Sequence, residues 1–361
     1  MTAHIAPTTF DPAKAEAFAG EMLTMLNQGA LSLMMSVGHR TGLFDAMADL
    51  PPATSQQIAD VAGLQERYVR EWLNALTVGR IVEYDAAVKT YRLPAEHAAF
   101  LTRAAQSDNM ATFFQHTVGL AAVEDEIVGC FKAGGGVPYS AFGRFHEVMA
   151  EDSGQTVVAA LEDHILPLVP GLIERLQRGI DVLDVGCGSG RAMNKLARLF
   201  PASRFRGYDF SAQAIAVATA EAQTHGLTNV AFQVKDVTDL QEAERYDLIT
   251  TFDAIHDQAH PDRVLRNIHN ALRPHGLYLM QDIRAASEVS GNLDHPVAPF
   301  LYTVSCMHCM TVSLAEGGMG LGTMWGREKA AEMLAQAGFT AIEMKALPHD
   351  VMNDYYVIRK G

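Results

Sequence analysis

The sequence predicts a helical N-terminal domain with a winged-helix plan, followed from about residue 179 by an α/β domain on a seven-stranded, doubly wound sheet. Three observations predict this. From Ile180 onward, strand-like and helix-like runs alternate, the pattern of a mostly parallel sheet covered on both faces. A glycine-rich segment, VLDVGCGSGR, continues directly from the first of those strands. Ahead of them, residues 54–94 read as helix, turn, helix and two short strands.

Composition sets the bounds. A chain of 361 residues suits two domains better than one. It is 48% hydrophobic and 19% charged, with no apolar run near the ~20 residues of a membrane span, so it reads as globular. The start, MTAHIAPTTFDPAKAEAF, lacks a basic stretch followed by an apolar one, and the expectation is no secretory leader and a cytoplasmic protein. Four cysteines without paired CxxC knuckles predict reduced thiols rather than a disulfide frame or a zinc module. A net charge of −14 opposes non-specific binding of nucleic acid, which needs a surface rich in Lys and Arg to release counterions.

The first domain is expected over residues 1–104. The stretch ALSLMMSVGHRTGLFDAMADL is apolar around the helical circumference, which predicts burial from several sides, at a subunit interface or an interdomain core. Thr54 and Ser55 can cap the helix SQQIADVAG, and Gly63 makes the turn. The helix ERYVREWLNALTV then places Tyr68, Trp72, Leu73 and Leu76 on one face and stops at Gly79. IVEY and TYRLP form the wing. A recognition helix exposes basic and amide side chains, yet this one balances Arg67 and Arg70 with Glu66 and Glu71. A DNA-binding regulator is therefore the lesser reading, and homodimerisation through the apolar helix at 29–48 the favoured one.

Residues 105–178 read as a helical connector, broken by AGGGVP at 133–138, that contributes to a substrate pocket. Phe113, Phe114, His116, Tyr139, Phe142 and His146 are its candidate lining, with ordinary core packing as the alternative. From 179 to 361 the predicted strands are IDVLDV, RFRGYD, VAFQV, YDLITTF, LYLMQDI, TAIEMKA and YYVIRK. The helices are RAMNKLARLF, AQAIAVATAEAQTHG, PDRVLRNIHNALRP and REKAAEMLAQAG. An insertion at 283–325 follows the fifth strand, where such sheets carry a substrate lid. Within it, Cys306, His308 and Cys309 could meet a soft metal or a sulfur substrate, or form a buried small-residue helix face. Trp325 is a candidate lid anchor or packing residue.

The glycines Gly186, Gly188 and Gly190, with Cys187 between the first two, stand at a strand-to-helix turn where backbone approaches a ligand closely. Such a turn alone could serve a nicotinamide cofactor or no ligand. The spacing is GxGxG rather than GxGxxG, and Asp184 puts a carboxylate where a pyrophosphate would need positive potential. That favours S-adenosyl-L-methionine, whose ammonium and sulfonium groups are cations. Asp209 ends the second strand, as acids that bind ribose hydroxyls do, and Asp236 follows the third, placed to accept from the adenine amine. Phe210, Val237 and Phe252 complete the expected cofactor set.

On these motifs, residues 180–361 resemble the class I methyltransferases, with a Rossmann-like sheet whose seventh strand is turned antiparallel by a final hairpin. With the winged helix in front, the chain is similar to the small-molecule O-methyltransferases of plants and bacterial secondary metabolism. GALSLMMSVGHRTGLFDAM and SCMHCMTVSLAEGGMGLGTMWG resemble more closely a family of bacterial and mycobacterial winged-helix methyltransferases. The resemblance implies a catalytic His-Asp pair after the fourth strand, matched here by His256 and Asp257; the usual Trp after it is Gln258, which bears on the substrate pocket. Independently, a hydroxyl must lose its proton to attack a methyl group, and a histidine braced by a carboxylate can take it. His256 and His260 have HxxxH spacing, but Pro261 follows and no third ligand is evident, so no metal is assigned. The expected activity is methyl transfer to a small-molecule hydroxyl with His256 as base. A thiol or soft-metalloid S-methyltransferase is the alternative.

Overall fold

The computed structural model describes residues 9–348 and 350–361. The segment read for a leader begins in residues 1–8, which lie outside the described residues. The chain divides into two compact units, Met1–Val118 and Gly119–Gly361.

In the first unit, α1 (Pro12–Thr41) starts at Asp11, whose side chain accepts from the N–H groups of Ala13 and Lys14, and ends at Gly42 with φ 73°. That break separates α1 from α2 (Leu43–Ala48) within the stretch expected to be one buried helix. Burial there is one-sided: Met35, Leu43, Phe44 and Met47 are buried while Leu33 and Val37 are 42% and 40% exposed. α3 (Ser55–Ala62) opens with a reciprocal Thr54–Gln57 capping box and closes at Gly63. α4 (Glu66–Val78) buries Val69, Trp72, Leu73 and Leu76. Tyr68 is 79% exposed, which corrects the expected face: 69, 72, 73 and 76 form the i, i+3, i+4, i+7 stripe, and position 68 falls outside it. The Trp72 indole N–H donates to Met34 O at 2.8 Å. β1 (Glu83–Asp85) and β2 (Thr90–Arg92) pair antiparallel as the wing, and α5 (Ala95–Leu101) follows. α6 (Phe114–Ala121) runs through the division between the units.

Residues 119–178 belong to the same compact unit as the sheet and form no third body. They comprise α7 (Glu124–Ala133), α8 (Phe145–Ser153), which runs on into π turns at Gly154–Val158 and Leu161–Ile165, and α9 (Leu172–Arg178). There follow β3 (Asp181–Val185), α10 (Arg191–Leu199), β4 (Arg204–Asp209), α11 (Ala212–Thr224), β5 (Val230–Val234), β6 (Tyr246–Phe252), α12 (Pro261–Ala271) and β7 (Leu272–Ile283). The chain ends with α13 (Ala298–Val304), α14 (Met310–Ala315), α15 (Gly326–Gln336), β8 (Ala341–Ala346) and β9 (Asn353–Arg359).

The sheet order is β5-β4-β3-β6-β7-β9-β8, with β9 antiparallel to both neighbours. The chain first winds outward through β4 and β5, then returns to place β6 on the other side of β3. That reversal opens a crevice beyond the carboxyl ends of β3 and β6, where ligands of such sheets bind. Strands covered on both faces must be apolar throughout, and Leu183, Val185, Leu248, Ile249 and Leu279 are fully buried. α12 packs Val264, Leu265 and Ile268 on one face of the sheet, and α10 packs Met193, Leu196 and Ala197 on the other.

The 283–325 insertion is largely built into the unit: α13, a π turn at Ser305–Cys309 and α14 bury Leu301, His308, Thr311 and Val312. Contrary to the composition reading, its helical stretch Ala298–Ala315 does reach the length and apolarity of a membrane span. It is 44% buried within the unit, and Val312 packs with Val123, Ile127 and Phe142, as expected of a core helix.

Candidate functional site

β3 delivers the glycine loop to the crevice. Gly186 N and Cys187 N both donate to Tyr208 O on β4, at 2.8 and 3.1 Å, which fixes the turn against the neighbouring strand. Gly188 has φ 51° and open space where a Cβ would stand, so its backbone can come close to a ligand. Gly190 serves packing instead. At φ 69° a Cβ would fall 2.5 Å from Phe232 and 2.6 Å from Ala218, and the residue lines neither cavity described below.

The three acids are held differently. Asp184 is 2% exposed and accepts from Thr250 Oγ1 at 2.6 Å; burial pushes its carboxyl up to about 7, against the Thr250 hydrogen bond. Asp209 accepts from Gly188 N at 2.9 Å and Ser211 N at 2.8 Å, bracing the loop while keeping lone pairs for a ligand. Its carboxyl is also raised, by burial first, against the two backbone hydrogen bonds. Asp236 is exposed and uses Oδ1 to cap its own turn, accepting from Thr238 N and Oγ1 at 2.8 and 2.6 Å.

Two cavities occupy the crevice. One, of about 140 Å³, is lined by Asp184, Gly186, Cys187, Gly188, Phe252 and Asp253 together with His146 and Met149 of α8. The other, of about 330 Å³, is lined by Tyr208, Lys235, Asp236, Val237, Thr238 and His260. Tyr139, Gly186, Asp209, Phe210, Asp257 and Gln258 line both. His146 Nε2 lies 3.1 Å from Ser211 Oγ, and its ring is 4.8 Å from that of Tyr139. Burial lowers the His146 proton affinity, opposed by Asp209. A string of carboxylates along linked cavities suits a cationic, elongated ligand; a pyrophosphate would meet repulsion there. The donor set and the open backbone at Gly188 therefore fit S-adenosylmethionine.

His256 stands elsewhere. It is 3% exposed and lines neither cavity. Its Nδ1 donates to Asp282 Oδ1 at 2.8 Å, and a second side-chain hydrogen bond joins it to Cys309. Burial alone would lower its proton affinity, but Asp282 and Cys309 outweigh burial and hold it well above the ordinary histidine value. Asp282, at the end of β7, is fully buried and also accepts from Trp325 Nε1 at 2.9 Å. Its partner is thus Asp282 across the strand end, not the adjacent Asp257 that sequence order suggested. Asp253, His256 and Asp282 each offer a ligating atom within 4.8 Å of the others. The His256–Asp282 hydrogen bond joins two of the three, while Asp253 accepts from Gln281 Nε2 at 3.4 Å and its Oδ1 is buried without a hydrogen-bond partner among the described residues. Burial and Asp282 push Asp253 well above the ordinary carboxylate range, while His256 opposes them.

Among the other expected pocket residues, Tyr139 and His146 reach the cavities. Phe142, Cys306, Cys309 and Trp325 do not. Phe142 is buried against His308 and Phe145, and Cys309 and Trp325 back His256 and Asp282. The thiol-acceptor reading leaned on Cys306 and Cys309, and neither lines either of these two cavities. Phe114 packs against the core of the first unit, and His116, also of that unit, is buried. Sequence reasoning missed Asp282, Asp253 and Met149. The available signal for Asp282 was a carboxylate closing the fifth strand, the same signal used for Asp184 and Asp209.

Comparison with known proteins agrees with this geometry. Residues 29–103 match the model of the Rv2258c-like winged HTH domain, and residues 176–346 match that of a methyltransferase domain. A ubiquinone biosynthesis O-methyltransferase of Neisseria meningitidis is 23% identical over 183 residues, covering 50% of this chain and 72% of that protein. An O-methyltransferase family protein from Burkholderia thailandensis has a similar structure (TM-score 0.68, 14% identity, 95% of this chain and 98% of the other). So does human N-acetylserotonin methyltransferase solved with S-adenosylmethionine (TM-score 0.67, 17% identity, 100% of both chains). The acid-lined crevice, the braced glycine loop and the two matched domains together identify an S-adenosylmethionine-dependent methyltransferase, with a methyltransferase domain of the class I fold over residues 176–346 and an Rv2258c-like winged HTH domain over residues 29–103.

Proposed function

We propose that the protein transfers the methyl group of S-adenosylmethionine to a hydroxyl oxygen of a small, largely apolar acceptor. The observation that carries this reading is the lining shared by the two cavities, where the rings of Tyr139 and Phe210 stand with the Asp257 carboxylate beside Gly186. When bound, the cofactor supplies an electrophilic methyl group on a positively charged sulfur. Asp209 would hold the ribose, Asp236 and Val237 the adenine, and Asp184 with Gly186, Cys187, Gly188 and Phe252 the methionine end. Tyr139, Phe145 and Phe210 offer ring faces and edges for an apolar acceptor. A hydroxyl needs a proton acceptor at hand, and the His256-Asp257 segment supplies the candidates.

Calorimetric titration tests the cofactor: S-adenosylhomocysteine binds and NAD does not, whereas binding of NAD alone would sink the reading. A panel of phenols, hydroxy acids, amines and thiols with methyl-labelled cofactor tests the acceptor atom. O-methyl products are expected; labelled thioethers would restore the sulfur reading.

The reading includes a homodimer formed through the first unit. Phe18, Met22, Leu23, Met25 and Leu26 of α1 are between 45% and 68% exposed, an apolar surface of the kind that marks an interface. Light scattering at micromolar concentration is expected to give twice the chain mass, and a double Leu23→Glu, Leu26→Glu variant to halve it. A wild-type monomer would contradict this. DNA has no place in the proposal, because Arg67 and Arg70 on α4 pair with Glu71 and Glu66. A cytoplasmic location accords with four cysteines that are all free thiols.

A further inference from the structure

We infer that Asp253 recognises the methionine end of the cofactor, its buried carboxylate accepting from the α-ammonium group. The inference rests on the placing of that end proposed above, beside Asp184 and the glycine loop. It leaves the His256-Asp257 segment to the proton transfer.

Backbone, burial and position all single out Asp253. It follows β6 directly at φ 51°, in the left-handed region that few residues with a side chain adopt. Its N–H donates to Gln281 O at 3.1 Å, so the neighbouring strand β7 fixes this turn. Oδ2 accepts from Gln281 Nε2 only at the long distance of 3.4 Å, and Oδ1 is buried with no hydrogen-bond partner among the described residues. A buried acceptor left unpaired is destabilising, and Gly or Asn would take this backbone conformation without the charge. A chain that keeps a carboxylate here gives up stability for it. Such outliers gather at sites where a ligand supplies the missing partner.

Position in the crevice identifies that partner. Asp253 lines only the smaller cavity. Asp209, the proposed ribose ligand, lines both, whereas Asp236 and Val237, placed at the adenine, line only the larger. The part of the cofactor left for the smaller cavity is its methionine end, a zwitterion. Arg191 lines this cavity too, its Nη1 held by donating to Ala150 O at 2.6 Å, and provides a cation for the α-carboxylate. Two acids could meet the α-ammonium. Asp184 already accepts from the Thr250 hydroxyl, while Asp253 has a whole oxygen unclaimed. An ammonium brings three N–H donors and the opposite charge, so it satisfies the orphaned oxygen and balances the carboxylate together. A second orphan lies alongside, for Gln281 is fully buried and its Oε1 also lacks a partner among the described residues.

The test compares S-adenosylhomocysteine with 5′-deoxy-5′-methylthioadenosine, which keeps the adenosine and the thioether but has a methyl group in place of the amino-acid chain. Calorimetric titration of Asp253→Asn is expected to show a ~10- to 100-fold loss of S-adenosylhomocysteine affinity, the range for hydrogen bonds to a charged group. Affinity for methylthioadenosine is expected to stay at the wild-type value. Asp253→Gly, which relieves the backbone altogether, is expected to lose the same discrimination. Asp253→Asn is also expected to melt at or above the wild-type temperature, because Asn suits this φ and the unpaired charge is gone. A ratio of the two affinities that keeps its wild-type value in both variants overturns the inference. An equal loss for both ligands overturns it too, and so does a lower melting temperature of Asp253→Asn, since either would mean a carboxylate that serves the fold. A wild type that binds S-adenosylhomocysteine no more tightly than methylthioadenosine overturns the placing of the methionine end, and one that binds neither overturns the cofactor reading itself.

Discussion

The two walls of the crevice place their polar groups in contrasting ways. Along β3, β4 and β5 the acids Asp184, Asp209 and Asp236 come at or just beyond strand ends, one per strand, and line the cavities of the crevice, Asp209 also bracing the glycine loop. On the wall made by 253–260, the end of β7 and the insertion, His256 and Asp282 point inward, and Cys309 and Trp325 close over them. The first wall depends on backbone, since a parallel strand of fixed register determines where its last residue lies. The second depends on side-chain rotation, since adjacent residues in an irregular turn face opposite ways. The cofactor wall therefore tolerates substitution least at its backbone-dependent positions, and the acceptor wall responds mainly to charge and pH.

The largest effect expected is at Gly190. Gly190→Val must place a β-branched residue at φ 69° and drive it into Phe232 and Ala218. Adding αL strain to overpacking lowers the unfolding free energy by about 3 kcal/mol or more, as read by urea denaturation; a loss under ~1 kcal/mol would show that the loop's glycines serve the ligand alone. Next comes Asp209→Ala, which leaves Gly188 N and Ser211 N without their acceptor and removes the proposed partner of the ribose. S-adenosylhomocysteine affinity is expected to fall by ~10- to 100-fold, the range for hydrogen bonds to a charged group.

On the other wall, the His256-Asp282 pair predicts a pH signature. The proton affinity of His256 is raised in the folded state, so its stabilisation is fully present below the unfolded value near ~6.5 and is lost as pH rises through the folded value. The stability gap between wild type and His256→Asn should therefore narrow from pH 6 to pH 9. A gap that widens would mean that His256 is neutral in the native protein. The smallest effect lies at the opposite edge of the sheet, where the hydrogen bond from Arg204 is the main cause holding Asp181 at about 2. The arginine is largely exposed, so solvent screens the pair and its contribution is small. That contribution is present above the unfolded value near ~3.9 and fades as pH falls through about 2. Asp181→Asn is expected to flatten acid denaturation slightly and to leave cofactor binding unchanged.

The seven strands, the four helices between them and the winged helix were legible because each follows from periodicity and turn residues within a short window. Gly63 and Gly79 ended helices where expected, and the Thr54 cap is in place. The face of α4 was misread by one residue because Tyr68 is hydrophobic by type but falls off the buried stripe. The cavity-lining residues Asp184, Gly186, Cys187, Gly188, Asp209, Phe210, Asp236, Val237 and Phe252 were all in the expected cofactor set, which rested on the glycine spacing and on acids at strand ends, whereas Gly190 of that set lines neither cavity. Cys309 and Trp325 were singled out by type, but their position behind His256 was not predictable from local sequence.

By itself the sequence determined the strands of the sheet and the glycines and acids at their ends, because strand register converts sequence spacing directly into position. Only the tertiary structure decided which member of the His256-Asp257 pair lines the two cavities and which partner His256 takes. Asp282 is 26 residues away from it in the chain, and such contacts follow from packing between elements, where side-chain direction depends on every neighbour at once.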